Sequence, residues 1–297
     1  MAQTDEAAAN WLRGQGSLKA RAGAFGLALA YYVLAALCAV ALSSVQKSFT
    51  GLTLAGLLQS GARSALLGHA VLLAAFALIP TAIMILSTRA PYRHSGWSPV
   101  RGLSRFGVGV LIGAGAMAAI AAVLSLTGAA RIQFGAGALA GAPALVVIWA
   151  FVWIVQSAHE EAFSRGYGLV KITRALGFWP AAVLSSIAFA ASHANIAGET
   201  PIGLFNAALV GLALAYTLLR TGSLWLALGF HASWNFMQSS VFGLANSGSA
   251  SQEAVAQSIV TGPLWLTGGS AGPEGGVLAT LAALVLFAVA RLAPVRR

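Results

Sequence analysis

Acidic residues are nearly missing from this chain. It carries seven Asp and Glu in 297 residues, and none between Ala7 and His159. Charged residues of both signs make up 8%, against about 25% in a soluble domain, which excludes an ordinary soluble fold. Cysteine occurs once, as Cys38 in an apolar run, so no disulfide can close within the chain and a two-cysteine metal site is excluded. A small buried hydrophobe is its expected role. There is no HisGluXaaXaaHis motif; HisGluGluAlaPhe at 159–163 resembles it only superficially. Sequence repeats and charged low-complexity tails are also missing.

What is present is apolar. Hydrophobic residues reach 58% and the mean hydropathy is +0.81. The expected fold is all-α: a polytopic transmembrane helix bundle, each span needing about 20 residues. The apolar runs are continuous rather than alternating, which argues against a β-barrel. About eight spans can be drawn, near 23–45, 64–87, 106–127, 143–164, 180–197, 203–219, 222–243 and 276–293. The polar, acid-bearing first residues do not resemble a cleavable signal peptide, so the first span is expected to be retained.

The net charge of +10 comes from Lys and Arg in the connections, not from a basic–aromatic surface, so nucleic acid is not an expected partner. Arg13, Lys19 and Arg21, then Arg89, Arg93, Arg101 and Arg105, then Arg165, Lys171 and Arg174, then Arg220, and finally Arg291, Arg296 and Arg297 alternate with poorer connections. By the positive-inside rule both termini are cytoplasmic. This divides the chain into a cytoplasmic segment, 1–22, and a bundle, 23–293, with an extracytoplasmic Gly/Ser-rich loop at 246–275. The ProLeuTrpLeu stretch at 263–266 suits the membrane interface, and Gly109 and Gly113 suit close helix packing. The expected location is an integral, bacterial cytoplasmic (inner) membrane, the Ala- and Gly-rich composition hinting at a bacterial source.

Glu160 and Glu161 break the acid-free stretch directly after an apolar run, and Arg165 follows. A charged side chain within a membrane helix costs roughly 2.5–3.5 kcal/mol on insertion scales, so such residues are rare and usually functional. Residues four apart share a helix face. Glu161 is therefore expected to pair with Arg165, while Glu160 points about 100° away, toward Trp153, Gln156 and Ser164. A lone buried Glu suits general acid–base work; a structural ion-pair cluster at a helix end accounts equally well for these residues alone.

Five histidines accompany them. His94, in a basic loop, is expected to be exposed; His159 is expected to be a polar neighbour of the acids, and His69 has no assigned role. His193 and His231 lie deep in apolar segments, with Asn235 one turn beyond His231. At 1.5 Å per residue, Glu160 lies about 21 Å back from Arg174 along a straight helix, His193 about 20 Å from Pro180, and His231 and Asn235 about 14 and 20 Å from Gly222. The four groups thus fall at similar depth and can meet in one intramembrane cavity. A Glu and a His can polarise a water for attack on a carbonyl, and a His and an Asn can donate to the oxyanion. Alternatively Glu160, His193 and His231 could hold Zn²⁺ or another divalent metal with water in the open position. Both arrangements lead to amide hydrolysis.

GluGluAlaPheSerArg (160–165), PheAlaAlaSerHis (189–193) and HisAlaSerTrpAsn (231–235) resemble, in order, the three motifs of the CPBP intramembrane proteases. That family includes the CAAX prenyl endopeptidases and the bacterial Abi proteins linked to bacteriocin processing and self-immunity. The resemblance covers about 145–245. It implies that Glu160 and His193 activate water, that His231 and Asn235 form the oxyanion site, and that Glu161 and Arg165 support them. It leaves metal-dependent and metal-free mechanisms both open. The implied function is an intramembrane endopeptidase acting on a membrane-associated peptide or protein within membrane lipid. The competing readings are a non-catalytic scaffold or immunity-type binding protein of the same fold, and a proton-coupled transporter, which the lack of an inverted repeat disfavours.

Overall fold

Each apolar segment forms a helix because its backbone groups find no partner in lipid except within the segment itself. The computed structural model describes residues 16–50, 63–137, 140–194, 198–248 and 253–292. The first fifteen residues of the expected cytoplasmic segment, and Arg296 and Arg297, lie outside the described residues. In chain order the helices are α1 (Leu18–Thr50), α2 (Arg63–Ser87), α3 (Gly102–Leu126), α4 (Pro143–Arg165), α5 (Tyr167–Leu176), α6 (Phe178–His193), α7 (Pro201–Thr221), α8 (Trp225–Asn235), the single turn α9 (Leu264–Thr267) and α10 (Val277–Leu292). The all-α expectation holds for the bundle. Among the described residues four helical stretches are long and apolar enough to cross a membrane: Leu18–Val45, Gly102–Leu126, Pro143–Leu176 and Pro201–Thr221. Ala74–Ser87 and Val277–Leu292 are shorter apolar helices. Leu37, Leu111, Val147 and Leu281 point outward and are exposed, as lipid-facing side chains must be.

Two features depart from the expected plan. A small antiparallel sheet joins β1 (Ala130–Phe134) to β2 (Ala256–Val260), pairing Ala130 with Val260 and Phe134 with Ala256. Two short runs far apart in sequence make it, and neither carries a strand signal of its own. The fourth segment is not a straight helix. It stops at Arg165, and Gly166, with φ −79° and ψ −133°, starts a new direction for the amphipathic α5. The distance counted from Arg174 along one axis therefore does not apply. A side chain at Gly166 would run into the Ala162 carbonyl. Other helices bond to the carbonyls at this break: Ala162 O, which still accepts from Gly166 N, also accepts from Tyr31 Oη at 3.2 Å, and Ser164 O accepts from Ser185 Oγ at 2.6 Å.

α8 sits in the middle of the bundle against α3, α4 and α7. Its approach to α3 is a backbone contact. A Cβ on Gly109 would meet Leu226 O and Phe230 N, one on Gly113 would meet Phe230 O, and one on Gly229 would meet Phe106 O. Without side chains the helices close to van der Waals distance, the main attraction available between helices in lipid. Met117, Leu124, Leu214, Phe230 and Leu286 fill the adjoining core.

Charge is segregated along the bundle. Arg21 Nε donates to Ala175 O at 2.7 Å, bringing the start of α1 to α5, and His94 lies near Lys171, Arg174 and Arg93. His94 is buried, 7% exposed, not solvent-facing as its basic loop implies. Burial first, then those three cations, push its imidazole down to about 4.

Replacing Gly109 with Val is expected to lower the stability of the detergent-solubilised protein by about 1–3 kcal/mol or more, the usual cost of overpacking. Gly107→Ala, where nothing lies within 4 Å of the new methyl group, is expected to change the melting temperature by no more than a degree or two. Thermal melts of both variants read the difference.

Candidate active site

α4 delivers Glu160 and Glu161 on different faces, and the difference decides what each touches. Glu161 is fully buried and accepts a hydrogen bond from Arg165 Nη1 at 2.6 Å, the expected one-turn pair. Arg165 is the largest fully buried side chain. Its Nε donates to Gly211 O at 3.3 Å, and its guanidinium lies 4.5 Å from the centre of the Phe189 ring. Gly211 makes room for it, since a Cβ there would stand 3.0 Å from Arg165 Nη2. The aromatic residue of the second motif is thus a seat for the arginine.

His231, from α8, joins the two acids. Its Nδ1 lies 2.9 Å from Glu161 Oε1 and its Nε2 lies 3.5 Å from Glu160 Oε2. Glu160 is therefore not a lone acid. Gln156 Nε2, one turn back on α4, also reaches Glu160 Oε1 at 3.5 Å. Glu160 remains 24% exposed and faces a cavity.

His193, Asn235 and His231 line the same cavity, so all four groups expected to share a depth share one space. His193 Nδ1 lies 2.8 Å from Phe189 O. A carbonyl can only accept, so Nδ1 carries the proton in that bond and Nε2 is left as a basic lone pair. Asn235 Oδ1 accepts from Asn246 Nδ2 at 3.2 Å, which leaves the Asn235 amide as a donor. The chain then enters a π-helical turn, Phe236–Val241, a deviation frequent at functional sites. Trp153 Nε1 ties that turn to α4 through Ser240 Oγ at 2.9 Å. His159 stacks between Phe76 and Phe163, outside this lining.

Among the described residues no group of three or more His, Cys, Asp or Glu side chains is arranged to hold a metal ion. Glu160, His193 and His231 line one cavity but are not gathered into such a group. No step is routed through a metal.

Three lining residues were not anticipated: Glu199, Asn246 and Glu274, brought in by loops. For the two glutamates the signal was the scarcity of acids. Of the seven in the chain, three line this one cavity and Glu161 lies directly behind it.

Residues 142–237, about a third of the chain, match the family model described as type II CAAX prenyl endopeptidase Rce1-like. Over this segment the chain is similar to the CPBP, or CAAX protease, family. No curated protein and no solved structure matches it. The CAAX-protease segment holds the α4, α6 and α8 motifs, while Asn246 and Glu274 lie beyond it.

Arg165→Met is expected to destabilise the protein by about 3–5 kcal/mol by stranding the Glu161 charge, whereas the double change with Glu161→Gln recovers much of that loss. Glu274 gives a pH signature. Burial, then the Glu199 carboxylate, push its carboxyl up to about 7 from 4.5. The folded state then holds a proton the unfolded state has lost, so this group costs nothing below about pH 4.5, and stability falls as pH rises toward 7. Glu274→Gln is expected to raise the melting temperature at pH 8 and to leave it unchanged near pH 4.

Proposed function

We propose that this protein is an intramembrane endopeptidase that hydrolyses a peptide bond of a membrane-associated peptide or protein. The observation that carries the reading is the common cavity lined by Glu160, His193, His231 and Asn235, inside a segment of CAAX-protease type. Glu160 and the free Nε2 of His193 hold and deprotonate the attacking water, and the carbonyl carbon accepts the resulting hydroxide. His231 Nε2–H and the Asn235 amide donate to the tetrahedral oxyanion. The proton taken up by the base passes to the leaving amine as the C–N bond breaks. Glu161 and Arg165 act through His231: Glu161 accepts from Nδ1–H and steadies the doubly protonated ring whose Nε2–H faces the oxyanion, as an acid beside a histidine steadies the imidazolium in hydrolytic triads.

The surrounding architecture in this proposal is an eight-span bundle with both termini cytoplasmic, set in a bacterial inner membrane, with 246–275 on the opposite side. The segregation of Arg21, Arg93, Lys171 and Arg174 from Glu199, Glu253 and Glu274 supports that orientation. A non-catalytic binding protein of the same fold is the runner-up. The proton-accepting form of His193 favours chemistry over binding alone.

Purified protein in detergent or nanodiscs, incubated with a library of membrane-anchored peptides, tests this. Glu160→Ala and His193→Ala are expected to lose essentially all cleavage, and Asn235→Ala about 10²–10³-fold in kcat, the usual cost of an oxyanion donor. Cleavage by Glu160→Ala at the wild-type rate would end the proposal. Chelation with metal add-back is an independent arm.

A further inference from the structure

Glu199 and Glu274 lie outside the three motifs, yet both carboxylates border the cavity that holds Glu160. They are built in rather than incidental. Pro201 starts α7, and Thr200 caps it by accepting from Gly203 N at 3.0 Å. Glu199 is thereby fixed at the helix entrance, with its Oε1 taking Thr200 N at 2.8 Å. Gly203 leaves room for this carboxylate, since a Cβ there would collide with Glu199 Oε1 and stand 3.3 Å from Gly275 Cα. Glu274 is held from below by Asn206, which is 1% exposed. The Asn206 amide donates to Glu274 O at 2.7 Å and Gly276 O at 2.9 Å, and its oxygen accepts from Thr280 at 2.6 Å. Ser247 N donates to Glu274 Oε2 at 2.9 Å. Each carboxylate thus has one oxygen claimed by a backbone N–H and no Lys or Arg partner among the described residues.

The lining includes Glu160, Glu199 and Glu274 but no Lys or Arg. Asn246, 8% exposed, spends its amide nitrogen on Asn235 and has no donor to its own side-chain oxygen among the described residues. That oxygen is a third acceptor in the same lining. Between these acceptors run Ala207, Val210, Leu214 and Phe230. Uncompensated carboxylates in such surroundings are costly, and a nitrogen cation on an apolar stem satisfies both kinds of wall. A terminal carboxylate would meet three acids instead.

We propose that Glu199, Glu274 and the Asn246 side-chain oxygen form a specificity subsite for a cationic nitrogen of the substrate, a Lys or Arg side chain or a free amino terminus close to the cleaved bond. The proposal rests on the endopeptidase reading for its meaning, but its binding test does not need cleavage.

The full chain in nanodiscs at pH 8 is titrated with n-butylammonium, n-butylguanidinium, neutral n-butanol, and Ca²⁺ or Mg²⁺, following the melting temperature. The organic cations are expected to stabilise saturably and butanol not at all. Glu199→Gln and Glu274→Gln, which keep the backbone acceptor, each weaken the cation response about tenfold, equivalent to 1.4 kcal/mol. On the peptide library, a Lys or Arg near the cut is expected to raise kcat/KM by about 10–100-fold over Gln, the range set by one charged contact in a buried site. That preference collapses in the two variants, while cleavage of uncharged peptides stays within about threefold. Peptides with free and acetylated amino termini separate the two sources of the cation. Cation binding without any cleavage keeps the subsite and removes the protease reading. Cleavage indifferent to substrate charge, or stabilisation by Ca²⁺ or Mg²⁺ with none by the amines, overturns the subsite and leaves the protease reading standing.

Discussion

The ion pair between Glu161 and Arg165 is the constraint on which the rest of the site depends. Two charges with essentially no solvent contact are a net burden unless the surroundings complete their hydrogen bonds. Here three other helices supply part of that completion, while Glu161 Oε2 and Arg165 Nη2 have no hydrogen-bond partner among the described residues. α7 supplies the Gly211 carbonyl, α6 the Phe189 ring, and α8 the His231 ring. Moving any one of them exposes a charge to an apolar interior. The pair therefore fixes where α6 and α8 stand relative to α4, and these are the helices that carry His193, His231 and Asn235. Its value is positional: a hydrophobic replacement could pack as well but would not orient an imidazole.

Much of this was legible in the sequence, because it follows from helical periodicity. The one-turn spacing of Glu161 and Arg165 predicts their contact, and the 100° step between neighbours separates Glu160 from it. Depth counting also brought Glu160, His193, His231 and Asn235 to one level, although one of its premises fails at Gly166. The 21 Å count for Glu160 runs through that break and loses its basis there, yet the four side chains still line one cavity.

The rest was hidden for a physical reason: it depends on contacts between segments distant in sequence. Nothing local marks Asn246 as the partner of Asn235, or Asn206 as the support of the Glu274 turn 68 residues away. His94 reads as a loop histidine until α5 folds over it. The β1–β2 pair is likewise created by tertiary proximity, since five-residue runs of mixed polarity specify little alone. Acid scarcity was the one sequence-wide cue to Glu199 and Glu274. In a chain this poor in carboxylates, each is retained against a bias, and position in space explains the bias better than position in the chain.

The glycine contact between α3 and α8 has a consequence for how anything reaches the cavity. Gly109 and Gly113 bring the α3 backbone against the very turns of α8 that precede Asn235, and Gly229 returns the contact from the other side. Backbone meshed with backbone leaves α8 no freedom to slide or tilt. The wall bearing His231 and Asn235 is the anvil of the chamber. The rest of the lining includes the turns that carry Glu199 and Glu274, and the Asn206 amide pins the second of them through Glu274 O and Gly276 O.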